Sequence, residues 1–63
     1  MAEPIRVLLV DDQSLVRSGF RMLIESEDDM EVVAEASNGL EALDVLRRMP
    51  VDVALMDLSL IHI

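Results

Sequence analysis

The feature that most constrains the fold is an alternation of three short apolar runs with two longer segments of helical periodicity. The apolar runs are rich in Val, Ile and Leu and span about six residues each, which is typical of strands in a parallel sheet. In chain order the predicted strands and helices occupy residues 5–10, 14–25, 31–36, 38–49 and 51–56. Because strands that alternate with helices form right-handed crossovers, the sequence predicts an α/β unit with a parallel sheet.

Local signals mark the two helices. Asn38 followed three residues later by Glu41 is a capping-box pattern, so a helix should begin there. Pro50 should end this helix, because the residue before a proline is pushed out of the helical region. Gly19 lies inside the first helix, where glycine costs about 1 kcal/mol relative to alanine. We therefore expect Gly19 to lie in close contact with a neighbouring element.

Acidic residues stand where two of the predicted strands end. Asp11 and Asp12 follow the first strand, and Asp57 follows the third. If the first strand lies between the other two, these three carboxylates converge at the carboxyl edge of the sheet, where ligands of open α/β sheets bind. Converging carboxylates repel one another unless a cation lies among them. Mg²⁺ prefers such oxygen ligands, so the spacing favours a metal-assisted phosphoryl site.

Composition excludes several classes of protein. The net charge is −8, from 13 acidic residues against five arginines, whereas a nucleic-acid-binding domain is normally basic. No stretch approaches the roughly 20 apolar residues of a membrane span. The chain has no cysteine, so it holds neither disulfides nor thiolate metal sites.

Four segments carry a family resemblance. They are VLLVDD at 7–12, LVRSGF at 15–20, EASNGLEA at 35–42 and VALMD at 53–57. Together they resemble the receiver domain of two-component response regulators, most closely its NarL/FixJ-like branch, and the resemblance covers residues 5–59. It implies a flavodoxin-like, three-layer receiver fold, here present from the first strand to the third, with a parallel sheet in the order 2-1-3.

The resemblance also implies roles for individual residues. Asp57 would accept a phosphoryl group from the phosphohistidine of a histidine kinase and would also be a ligand of Mg²⁺. Asp12 would bind Mg²⁺ directly, Asp11 would act mainly through metal-bound water, and the backbone carbonyl of Ser59 would be a further ligand. Such a module is a cytoplasmic signalling protein rather than an enzyme. Its expected partners are the kinase and a second receiver domain, while DNA binding would belong to an output domain outside this segment.

The last residues depart from the family pattern. Receivers usually have a Pro and a Gly after the acceptor, but residues 60–63 contain no turn residue and form an atypical tail. Receivers also use a Ser or Thr and a Lys on later strands, and this chain contains no Lys and no Thr. We therefore expect a truncated and incompletely functional receiver. Alone it should fold poorly, because its third strand would be an exposed apolar edge.

Two alternatives compete with the interpretation as a phosphoryl acceptor. Aspartate-nucleophile phosphatases of the haloacid dehalogenase type need a second Asp two residues after the nucleophile, where this chain has Ser59. A non-catalytic interaction segment that pairs with a full-length receiver stays open. Incubation with Mg²⁺ and a small phosphodonor distinguishes the three hypotheses. Only a phosphoryl acceptor would keep the phosphoryl group, and Asp57→Asn would abolish this modification.

Overall fold

Five secondary-structure elements follow one another in the predicted order. They are β1 (Ile5–Asp11), α1 (Ser14–Glu25), β2 (Met30–Ala36), α2 (Gly39–Arg48) and β3 (Val53–Asp57). The structure is a computed structural model that describes residues 3–57, with Asp57 described by its backbone alone. All three strands are parallel and the sheet order is β2-β1-β3, which confirms the predicted fold class.

The core is divided between the two faces of the sheet. On one face, Leu8 and Val10 pack with Ala42 and Val45 of α2. On the other face, Val7, Leu9 and Val32 pack against Phe20 and Ile24 of α1. The central strand is thus buried on both faces, which explains its unbroken apolar run. Neither helix in the described part of the chain is long and apolar enough to cross a membrane.

A bulge in β2 changes which residues face α1. The register with β1 pairs Val7 with Val32 but Leu8 with Ala34, so Val33 is an extra residue in β2. Because side chains alternate along a strand, one extra residue exchanges the two faces beyond it. Val32 therefore packs on the α1 face, Ala34 packs on the α2 face, and Glu35 returns to the α1 face. The sequence patterns did not predict this bulge.

The start of α2 confirms the predicted cap with one difference. The Asn38 side-chain oxygen accepts a hydrogen bond from Glu41 N at 2.9 Å. The Glu41 carboxylate reaches one residue further back, to the backbone N and hydroxyl of Ser37, and these bonds lower the pKa of Glu41. At the other end, Met49 before Pro50 is extended, as expected.

Two expectations are corrected. A Cβ placed on Gly19 would meet no atom within 4 Å among residues 3–57, so the expected close contact is wrong for this part of the chain. In addition, β3 begins at Val53 rather than at residue 51. The reason is that Asp52 is engaged by Arg6 of β1. Its carboxylate accepts from Arg6 N at 2.8 Å and from both Nε and Nη2 at 3.1 Å, and its own N–H donates to the Arg6 carbonyl.

This pairing predicts a measurable dependence of stability on pH. Hydrogen bonds from the Arg6 side chain, and then from its backbone N–H, hold the pKa of Asp52 below its ordinary value of 3.8. A carboxyl with a lowered folded-state pKa stabilises the fold above its unfolded-state value and loses this contribution as pH falls through the folded-state value. We expect Asp52→Asn to flatten the fall of the urea unfolding midpoint below pH 3.8. If the unfolding midpoint of Asp52→Asn fell as steeply below pH 3.8 as that of wild type, this expectation would be wrong.

Candidate functional site

The predicted acidic residues meet at the carboxyl edge of the sheet. Asp11 ends β1 and is the register partner of Asp57, which ends β3. Neighbouring strands lie about 4.8 Å apart, so the two backbones are adjacent, and Asp12 follows Asp11 directly. The central position of β1 produces this arrangement, as the sequence predicted. The roles of the three residues stay predictions.

Asp11 has a buried carboxylate, and within residues 3–57 only one of its two oxygens forms a hydrogen bond. The residue is only 3% exposed, and its Oδ1 accepts a hydrogen bond from Gln13 N at 2.8 Å. Its Oδ2 is buried and has no hydrogen-bond partner among residues 3–57. A buried carboxylate oxygen without a partner is costly unless a cation or donor satisfies it.

The available donors fit Mg²⁺, a hard cation that takes carboxylate oxygens and retains several waters. Asp11 offers its partnerless oxygen, and Asp12 is exposed where a hydrated ion can approach. Within the side chains that the structure describes, no three acidic or imidazole groups form a complete metal cluster. The side chain of Asp57 and the whole of Ser59 lie outside that description, as do residues 60–63. Their predicted roles are therefore untested.

An ion-pair cluster beside the acidic pair was not predicted. Arg17 of α1 donates from Nε to Glu35 Oε1 at 2.8 Å and from Nη1 to the backbone carbonyl of Asp11 at 2.7 Å. Arg21, one turn later, donates to the other oxygen of Glu35 and also pairs with Glu25. Burial alone would raise the pKa of Glu35, but the hydrogen bonds from both arginines outweigh burial and lower it.

The sequence contains part of the signal for this ion-pair cluster. Arg17 and Arg21 are four residues apart and so share one face of α1. Regular alternation in β2, however, would place Glu35 on the opposite face of the sheet from Val32, and only the bulge at Val33 reverses this. The cluster thus depends on a feature that the strand pattern does not display.

Comparison with known proteins gives a family match. The profile of the response regulator receiver domain matches residues 7–63. The nitrate/nitrite response regulator protein NarP of Escherichia coli (strain K12) is 46% identical over 59 residues, covering 94% of this chain and 27% of that protein. No solved structure matches the chain significantly.

Two further relatives have similar coverage. An uncharacterized transcriptional regulatory protein, YhcZ of Bacillus subtilis (strain 168), is 45% identical over 56 residues, covering 89% of this chain and 26% of that protein. The oxygen regulatory protein NreC of Staphylococcus aureus (strain JH9) is 43% identical over 56 residues, with the same coverage. The chain therefore spans about a quarter of the length of these relatives.

Proposed function

This chain belongs to the response regulator receiver domain family, and we propose that it accepts a phosphoryl group on Asp57 from the phosphohistidine of a histidine kinase. The observation that supports this most strongly is the register pairing of Asp57 with Asp11 at the carboxyl edge of the sheet. That pairing places a strand-end aspartate beside two more acidic residues. Such a grouping is expected of a phosphoryl site that uses a metal.

In the proposed reaction a carboxylate oxygen of Asp57 attacks phosphorus. A P–O bond forms as the P–N bond to the kinase imidazole breaks. The imidazole nitrogen keeps the electron pair, and the product is an aspartyl phosphate. Asp12 would hold Mg²⁺ directly, Asp11 mainly through metal-bound water, and the Asp57 carboxylate and the backbone carbonyl of Ser59 would be further ligands. When bound, Mg²⁺ supplies positive charge that offsets the carboxylates and the phosphoryl oxygens.

We propose that the chain is a signalling module in the cytoplasm and not an enzyme with turnover. One relative is named a transcriptional regulatory protein and another an oxygen regulatory protein. By analogy, we propose that a longer protein carrying this segment regulates transcription by binding DNA through a separate domain. This acidic segment would not contact DNA itself.

A second candidate function rests on the exposure of β3, whose apolar side chains are accessible on both faces of the sheet. Val53, Leu55 and Met56 are 49%, 39% and 56% exposed on a strand at the edge of the described sheet. Exposed apolar edge strands tend to pair with other chains. A non-catalytic segment that pairs with a full-length receiver is therefore the alternative, and it requires no phosphoryl group.

The test uses the complete gene product with Mg²⁺ and a small acyl phosphate, followed by intact-mass spectrometry. We expect a mass increase of one phosphoryl group that hydroxylamine removes, since hydroxylamine cleaves acyl phosphates. Chelation of Mg²⁺ should reduce the yield to background, because phosphoryl transfer depends strongly on charge neutralisation. Sustained release of phosphate would indicate a phosphatase instead. The absence of any adduct, together with binding to a second receiver, would favour the alternative.

A further inference from the structure

We propose that Arg17 is a positioning residue that fixes the peptide group between Asp11 and Asp12 and thereby sets their affinity for Mg²⁺. The inference rests on the proposed function, which assigns the cation to this acidic pair. Arg17 itself would not contact the metal or the phosphoryl group. It would act through the backbone that supports both carboxylates.

The first support is the identity of the atom that Arg17 holds. Its Nη1 donates to the carbonyl oxygen of Asp11, and that carbonyl belongs to the peptide group joining Asp11 to Asp12. Because a peptide group is planar, its orientation governs how both residues present their side chains. Two more hydrogen bonds stabilise the connection from β1 to α1. Arg17 N donates to the Gln13 carbonyl at 2.9 Å, and Gln13 N donates to Asp11 Oδ1.

The second support is that Arg17 is itself held in place. Its Nε is bonded to Glu35, and its side chain is only 21% exposed. Glu35 lies in register with Leu9 of β1, so strand pairing holds its backbone in place. A planar guanidinium bonded at two nitrogens has little freedom left, so it fixes geometry better than a flexible ammonium does. The bulge at Val33 therefore contributes to the positioning of Arg17, since it brings Glu35 to the α1 face of the sheet.

The third support is charge. An unpaired guanidinium beside a cation site would repel Mg²⁺. Here the two arginines, Arg17 and Arg21, pair with the two glutamates, Glu25 and Glu35, so the cluster is formally neutral. Arg17 can thus donate to the Asp11 carbonyl without adding net positive charge to the neighbourhood of the metal.

The test compares Arg17→Gln with Arg21→Gln in the complete gene product. Both variants lose one guanidinium bonded to Glu35 and the same charge, but among the described contacts only Arg17 reaches Asp11. By titration calorimetry with MgCl₂, we expect Arg17→Gln to bind Mg²⁺ about tenfold more weakly or worse, as supporting residues of metal sites do. Arg21→Gln should keep the wild-type affinity. Without metal, amide exchange at Asp12 and Gln13 should be faster in Arg17→Gln than in Arg21→Gln.

Several results would overturn the inference. Wild-type Mg²⁺ affinity in Arg17→Gln would do so, and so would equal losses in both variants, which would indicate a general charge effect. If Arg17→Gln fails to fold, the comparison moves to Arg17→Lys and Arg21→Lys. Lysine keeps the charge but not the two-nitrogen geometry, so only Arg17→Lys should lose affinity, and equal affinities would overturn the inference. If the wild type binds no Mg²⁺, both the inference and the proposed function fail. If the wild type binds Mg²⁺ and Arg17→Gln binds it equally well, only the inference fails.

Discussion

Replacing Asp57 with Asn should abolish the phosphoryl adduct. The amide has nearly the same size as the carboxylate, but it lacks an anionic oxygen that can attack phosphorus. No other aspartate ends a strand beside Asp11 in the described sheet, so no substitute nucleophile is expected there. With Mg²⁺ and an acyl phosphate, intact-mass spectrometry should show only unmodified Asp57→Asn protein.

The matched control for this result is Asp52→Asn. Asp52 lies just before the amino end of β3, where its carboxylate pairs with Arg6, away from the carboxyl edge of the sheet. Its replacement removes the same charge near the same strand and should leave the adduct at the wild-type level. An adduct that survives in Asp57→Asn, or that disappears only in Asp52→Asn, would contradict the assignment of the acceptor.

Replacing Asp12 with Asn should lower Mg²⁺ affinity by more than about 100-fold. Mutation of a residue that merely supports a metal ligand often lowers metal affinity about 10- to 100-fold, so the loss of a direct anionic ligand should lower it further. Calorimetric titration with MgCl₂ measures this loss.

The control here is Asp28→Asn, which removes one charge from the loop between α1 and β2. That loop leads into the amino ends of the strands, since Asp29 next to it accepts a hydrogen bond from Ile5 at the start of β1. Asp28→Asn should not change the Mg²⁺ affinity appreciably. If Asp12→Asn behaved in the same way, Asp12 would not be a metal ligand.

Much of the fold could be predicted because local chemistry and burial agree. The apolar run before Asp11 is long enough for one strand and too uniform for an exposed one, and the structure buries it as the central β1. Asn38 and Glu41 predicted the start of α2, and Asn38 caps it. The meeting of Asp11 with Asp57 followed from strand order alone.

What could not be predicted depends on contacts between distant residues. The bulge at Val33 has no composition signal, because valine suits a regular strand equally well. Without the bulge, the pairing of Glu35 with Arg17, which itself bonds to the end of β1, cannot be inferred. Likewise the late start of β3 reflects an ion pair between Asp52 and Arg6, which are 46 residues apart in the chain.

The most direct test of the account is the Mg²⁺ affinity of Asp57→Asn, compared with wild type and Asp28→Asn by titration calorimetry. If the ends of β1 and β3 share one cation, Asp57→Asn should bind Mg²⁺ at least about tenfold more weakly, while Asp28→Asn binds as wild type does. Wild-type affinity in Asp57→Asn would show that Asp57 takes no part in the metal site of Asp11 and Asp12.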